Sequence, residues 1–376
     1  MTATWPTVEL AKLATILSGF AFDSTKFSDD AGIPLVRIRD VSRGSTDTYF
    51  NGDYDFKFIV NDGDLLVGMD GRFNRELWRG GRALLNQRVC RITADGNNLD
   101  QRYLYHFLPR ALSRIEDKTP FATVKHLSTP KVRSIQVPLP PLEEQRRIAY
   151  ILDQAVALRT KRQSALVKLD ALRDSIAEQE FRQYQTRESL GDHLMFVTSG
   201  SRGWAKYYAD RGSRFIRSQD VLLGSIEDSD PAFVDPPDNK ESMRTVIRPG
   251  DLLITITGTV GRAAAAPIEL NGAFISQHVA IARPSPALRS RFVESFLCSR
   301  EGQSQLERAQ YGQTKPGLNL SQIREFKLPV PGLAAQDDIV RRLQGVDCCR
   351  KQLRRSEKAL DSLFASLQHR AFHGEL

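Results

Sequence analysis

At 376 residues and 41% hydrophobic composition, the chain is too long for one ordinary domain and apolar enough to give two or three of them proper cores. It has no run of about 18 apolar residues, and Met1-Thr2-Ala3-Thr4-Trp5-Pro6 lacks a signal peptide's charged and apolar regions, so a cytoplasmic protein is expected. The cysteines, Cys90, Cys298 and the adjacent pair Cys348-Cys349, fit neither a zinc spacing nor a secreted disulfide framework. A net charge of +8 allows a polyanionic partner, but both signs are spread along the chain without a basic tail.

In chain order, Ser18-Gly19 is followed by Pro34–Ile38, a short apolar run that reads as a β-strand. Arg37 lies in that run with Asp40 three positions on, so it is either a nucleic-acid contact or the structural partner of Asp40. Gly63-Asp64-Leu65-Leu66-Val67 reads as a turn feeding a second strand. Residues 72–91 then gather Arg72, Arg75, Arg79, Arg82, Arg88 and Arg91 against one acid, Glu76, with Phe73 and Trp78 interleaved. Arginines neutralise phosphates and grip guanine bidentately, and aromatic rings pack on sugars or bases. The bland alternative is a solvated basic loop. A shorter helix is expected around Arg102–Leu108, then a loop holding Thr123, Lys125 and His126, whose side chains suit base edges and phosphate.

The proline-rich stretch Val137-Pro138-Leu139-Pro140-Pro141-Leu142-Glu143-Glu144-Gln145 marks a change of pattern. Beyond it, Ile148, Leu152, Ala155, Arg159, Arg162, Leu166, Leu169, Arg173 and Ile176 alternate four and three apart, the period of a coiled-coil seam. A helix of about 35 to 40 residues, roughly 55–60 Å long, is expected to start just after Pro141.

From Ser199-Gly200 the plan begins again. Arg202, Trp204 and Lys206 are a weaker group of candidate contacts, and Arg217 with Asp220 repeats Arg37 with Asp40. Gly250-Asp251-Leu252-Leu253-Ile254 returns the first Gly-Asp strand, and Ser276-Gln277-His278-Val279 echoes Asn86-Gln87-Arg88-Val89. Between Thr255 and Ser276 the only basic residue is Arg262, so the second copy lacks the arginine-rich stretch of the first and its contacts are expected to differ. A helix around Arg291–Leu297 and a loop with Gln313, Thr314 and Lys315 precede Leu328–Gln336, which returns the proline-rich stretch 191 positions later. The second seam runs Ile339, Leu343, Val346, Arg350, Leu353, Glu357, Leu360, Phe364, Leu367. Matches kept in order, with little drift in offset, mean a tandem duplication.

The expected fold is α+β with an internal pseudo-two-fold repeat. Two mixed α/β domains, 1–140 and 186–331, are joined by two long antiparallel helices, 141–185 and 332–376, forming a coiled coil. Two ordinary core helices are the alternative.

Signs of chemistry are weak. Asp235-Pro236-Pro237-Asp238 resembles the adenine-holding motif of DNA methyltransferases, but an aspartate stands where the stacking ring belongs. Thr257-Gly258-Thr259-Val260-Gly261 lacks the Lys-Ser/Thr of a phosphate loop and reads as a turn between strands. The six histidines show no metal or triad spacing.

The whole chain resembles the specificity subunits of type I restriction-modification systems. That family's pattern is a recognition domain, a Pro-Leu-Pro-Pro-Leu-x-Glu-Gln lead-in, a long helix, and all three again. Pro138–Gln145 matches the lead-in, and Ala371-Phe372-His373-Gly374-Glu375-Leu376 resembles the family's close, with Phe181 as its counterpart in the first copy. Gly332, Ala334 and Ala335 depart from the pattern in the second lead-in. The resemblance implies a non-catalytic chain whose two domains each read half of a bipartite duplex DNA site across an undefined spacer. It also implies two methylating subunits docked on the helices, carrying S-adenosylmethionine and making N6-methyladenine, and motor-nuclease subunits that join for cleavage. A protein-interaction scaffold and a stand-alone methyltransferase are the competing classes.

Overall fold

In the computed structural model, which describes residues 5–118, 125–310 and 317–376, the chain forms two units. One comprises Met1–Arg162 with Ser356–Leu376, the other Gln163–Arg355. Unit 1 holds strands β1 (Ala14–Ser18), β2 (Ile33–Val36), β3 (Leu65–Gly68), β4 (Arg75–Leu77), β5 (Ala83–Leu85) and β6 (Val89–Ala94), helix α1 (Gln101–Lys118) and the start of helix α2 (Leu142–Arg182). Unit 2 holds β7 (Leu194–Ser199), β8 (Ser213–Ile216), β9 (Leu252–Thr255), β10 (Ala263–Ala265), β11 (Phe274–Ile275), β12 (Val279–Pro284), α3 (Ser290–Leu297), α4 (Arg300–Ala309) and the start of α5 (Leu333–Ala371).

The two units repeat one topology. An antiparallel sheet runs β1-β6-β3-β4 in the first and β7-β12-β9-β10 in the second. A second sheet contains a parallel pair, β2 with β5 (Leu35 opposite Leu84) and β8 with β11 (Phe215 opposite Phe274). The Gly-Asp-Leu-Leu runs are apolar on consecutive positions because both faces of their strands are covered. Leu65 and Val67 enter one cluster with Tyr103 and Leu104 of α1, whereas Leu66 enters another with Leu35 and Trp78. In unit 2, Leu252 and Ile254 meet Phe292 and Phe296, and Leu253 meets Ile216 and Ile275. Alternate side chains leave a strand on opposite faces, and each fully buried leucine contributes about 1.5–3 kcal/mol. The glycines ahead of these strands, Gly63 and Gly250, have φ of +92° and +84°, a backbone that side chains resist.

Helix α1 is longer than expected. It continues through Pro109, which costs one intrahelical bond, because Ala111 and Leu112 beyond it stay buried in the core. In unit 2 the same region is split between α3 and α4.

The long helices span 41 and 39 residues, and every position of both expected seams is buried or half-buried. Within unit 2, Asp170 pairs with Arg350 and Arg173 with Asp347, so ascending numbers on α2 meet descending numbers on α5 and the helices run antiparallel. Within unit 1, Arg159 reaches Asp361 at 2.7 Å and lies over the Phe364 ring. Each unit is closed by a phenylalanine at the end of a long helix. Phe372 meets Tyr103 and Phe107 edge-on, both at 5.4 Å, and Phe181 meets Phe292 and Phe296 at 5.7 and 5.1 Å. No helix among the described residues is long and apolar enough to cross a membrane.

Candidate nucleic-acid interface

Three segments distant in sequence converge at one end of the antiparallel sheet in unit 1. They are the turn after β3, the turn before β6, and the stretch from Lys125. Backbone bonds tie them together: the Met69 N–H donates to Arg88 O (2.9 Å), Leu127 N–H to Met69 O (2.7 Å) and Gly71 N–H to Lys125 O (2.9 Å). Unit 2 has the same joint, with Ile256 N–H on His278 O and Leu318 N–H on Ile256 O, both 2.9 Å. A Ser-Gly pair lets the chain pass closely under each turn. A Cβ on Gly19 would stand 2.0 Å from Asn86 O, and one on Gly200 2.2 Å from Ser276 O, so neither position tolerates a side chain without backbone movement.

The side chains on the two joints differ. In unit 1 Asp70 is bonded by Arg88 through Oδ2 and stands 2.6 Å from His126 Nδ1 through Oδ1. Burial pushes the Asp70 carboxyl up, but the bonds from His126 and Arg88 outweigh it and hold its pKa below the ordinary carboxylate value. In unit 2 Thr257 takes the place of Asp70 and bonds His278 Nδ1, while Gln277 Nε2 lies 3.1 Å from His278 Nε2. Unit 1 therefore carries an acid–base cluster where unit 2 carries hydroxyl, imidazole and amide.

The arginine-rich stretch separates into two kinds of residue. Arg72, Arg79 and Arg82 are exposed. Arg75 instead packs its guanidinium over the Tyr105 ring at 3.8 Å and donates to Tyr105 O at 2.8 Å, anchoring β4 to α1. Its pKa is lowered by burial. Arg91 bonds Ile59 O and faces Asp64 at 3.5 Å. The interleaved rings face inward: Phe73 is 8% and Trp78 1% exposed, and the Trp78 indole donates to Gly81 O. They pack the sheet and offer no stacking platform.

Of the remaining sequence candidates, Arg37 and Arg217 sit at the starts of short helical turns rather than within strands. Their backbone N–H groups donate to Asp40 and Asp220 at 2.9 and 2.8 Å, and Arg217 also bonds Asp220 and Asp230 with its side chain. Trp204 belongs to the core of unit 2, against Phe215 and Phe274, while Arg202 and Lys206 beside it are exposed. Arg262 is half-buried in the turn between β9 and β10. Lys125 donates to Glu116 O at 2.8 Å. Thr123, Gln313, Thr314 and Lys315 lie outside the described residues. Composition and spacing do not single out Asp70, Thr257, Gln277 and His278 as candidates, and they mark Arg88 only as one member of a basic stretch. The echo of Asn86–Val89 in Ser276–Val279 was the available signal.

A family profile for the type I restriction modification DNA specificity domain matches residues 2–168 and 241–359. The chain is 29% identical to the type I restriction enzyme EcoBI specificity subunit of Escherichia coli, over 99% of this chain and 86% of that one. It is 21% identical to the MjaVIII specificity subunit of Methanocaldococcus jannaschii, over 81% and 77%. Among solved structures, the S subunit of a type I restriction-modification system from M. genitalium superposes with a TM-score of 0.65 at 16% identity, covering 98% of this chain and 96% of that one. A chain from a study of complex assembly and conformational transition of the type I R-M system gives 0.58 at 19% identity, with full coverage of both.

Proposed function

The chain belongs to the type I restriction modification DNA specificity family, and from that premise we propose that each unit reads one half of a bipartite duplex DNA site. The observation that carries this reading is the repeated joint: one backbone arrangement displays Asp70, Arg88 and His126 in one unit and Thr257, Gln277 and His278 in the other. Two readers of common ancestry and different side chains suit two different half-sites. Arg72, Arg79, Arg82, Arg202, Lys206 and Arg262 are assigned to phosphate or base contact, together with Thr123, Gln313, Thr314 and Lys315 of the loops before the lead-ins. Arg37, Arg75, Trp204 and Arg217, engaged with other groups of their own units, are assigned a structural role.

The long helices are assigned to setting the spacer between half-sites and to docking two methylating subunits that carry S-adenosylmethionine. Motor-nuclease subunits join that complex, and this chain contributes recognition without catalysis. Tyr150, Leu158, Val167, Leu172 and Leu363 support the docking role, being large apolar side chains left exposed on the long helices. The test is to map methylated adenines in cells expressing the chain with its methylating subunit. The expected motif is two short defined halves separated by an undefined spacer of fixed length. A single uninterrupted motif, or methyl transfer by the highly purified chain alone, would overturn the proposal.

A further inference from the structure

We infer that the turn before β6 is the base-reading element of unit 1 and that Arg88 selects a guanine in its half-site. This rests on the function proposed above and names the residue that carries out part of it. Arg88 has φ of +68°, the one positive value other than at glycine among the described residues. A left-handed backbone is unfavourable for a side-chain-bearing residue. The joint itself does not demand it, because His278 makes the equivalent backbone bond without a positive φ. The conformation belongs to unit 1 alone, and what it positions is a guanidinium.

That guanidinium is preorganised. Asp70 holds it through Nη1, and Asp70 is held in turn by His126. The carboxylate is only 13% exposed, whereas the Arg88 and His126 side chains are each 57% exposed, so the acid acts as a buttress beneath two outward-facing side chains. A guanidinium has five N–H donors in a fixed fork, and one is spent on Asp70. The rest can meet the O6 and N7 acceptors that guanine presents in the major groove. Phosphate is the weaker choice here. The negative charge of Asp70 offsets that of Arg88 and opposes an approaching phosphate, but a base edge is uncharged. Exposed Arg72, Arg79 and Arg82 suit phosphate better. Phe20, 51% exposed, flanks the turn: its carbonyl accepts the Gln87 N–H at 2.8 Å, and its ring is fixed against Phe22 and Phe58.

The test uses the complex of the full chain with its methylating subunit. R88G removes the side chain but keeps the left-handed backbone free of strain, R88K keeps the charge without the fork, and D70N tests the buttress. Adenine-methylation maps of R88G are expected to lose one guanine from one half-site while the other half and the spacer persist. R88K is expected to resemble R88G, and D70N to relax the same position. In binding assays, 7-deazaguanine at that position, which removes one of the two acceptors, should weaken the wild type by about 2- to 12-fold and leave R88G unchanged. A bipartite motif retained intact by R88G overturns this assignment alone, as does R88G weakening every duplex equally, the behaviour of a residue that meets phosphate. A wild-type complex with no bipartite motif overturns the function proposed above.

Discussion

Gln145 Oε1 accepts the backbone N–H of Asp100 at 2.9 Å, while its Nε2 donates to the carbonyls of Asn98 and Pro140 at 2.8 and 2.9 Å. In the second copy Gln336 does the same with Arg289 N–H (2.8 Å), Ala287 O (3.1 Å) and Pro331 O (2.7 Å). Both side chains are fully buried. Asp100 and Arg289 stand at the starts of α1 and α3, where backbone groups lack intrahelical partners. One amide thus fastens the beginning of a long helix to the beginning of a domain helix. A carboxylate could accept but not donate, so glutamine is required.

Q145E should therefore destabilise unit 1 by about 1–3 kcal/mol or more, the cost of leaving buried polar groups unpaired. Q336E should do the same to unit 2. Hydrogen exchange resolved by segment checks this, and equal loss of protection in both units from either variant would contradict it.

Phe372 is 6% exposed and wedged between two rings of α1. F372A should cost about 3–5 kcal/mol, as large buried aromatics do on truncation to alanine. The loss should appear in residues up to Arg162, far away in sequence. F181A should instead weaken the segment around Phe292 and Phe296. Denaturant unfolding with exchange mapping distinguishes the two, and a loss confined to the last few residues would rule the wedge out.

Acid should loosen unit 1. Asp153 accepts from Arg102 Nε at 3.0 Å and lies 2.6 Å from Nε2 of His106, which is 1% exposed. Burial pushes Asp153 up, yet the bonds from Arg102 and His106 outweigh it and hold the carboxyl below its ordinary value; burial pushes His106 down despite its partner. Both groups take up protons more readily unfolded than folded, so stability falls with pH. The decline should begin below about 6.5, the ordinary histidine value, and continue through the lowered carboxyl pKa. The stability advantage of wild type over H106Q should shrink between pH 7 and 5, and an advantage that grows would mean that folding favours the protonated imidazole.

The exposed arginines make a further prediction. Replacing Arg72, Arg79 and Arg82 with alanine should leave the methylated motif unchanged but flatten the salt dependence of binding. The slope of log affinity against log salt should fall by about 0.9 for each phosphate no longer neutralised. An unchanged slope would mean that these residues do not meet phosphate.

Much of the architecture is legible along the chain because its devices are local. Gly63 and Gly250 supply a left-handed turn, and Asp40 and Asp220 each hold the backbone N–H three positions before them. Each demand spans a few residues, so it recurs in both copies and reveals the duplication. The helix seams are legible for the same reason, since a helix repeats its buried face every three or four positions. What only the tertiary structure decided is which distant residues meet. Asp70, Arg88 and His126 come together from three loops, 18 and 56 positions separating Asp70 from the other two. Phe73 and Trp78 turn inward because β4 pairs with β3 between two apolar clusters, and Phe372 reaches Tyr103 from the far end of the chain. Local propensity cannot specify such meetings, because they depend on how sheets and helices return the chain to itself.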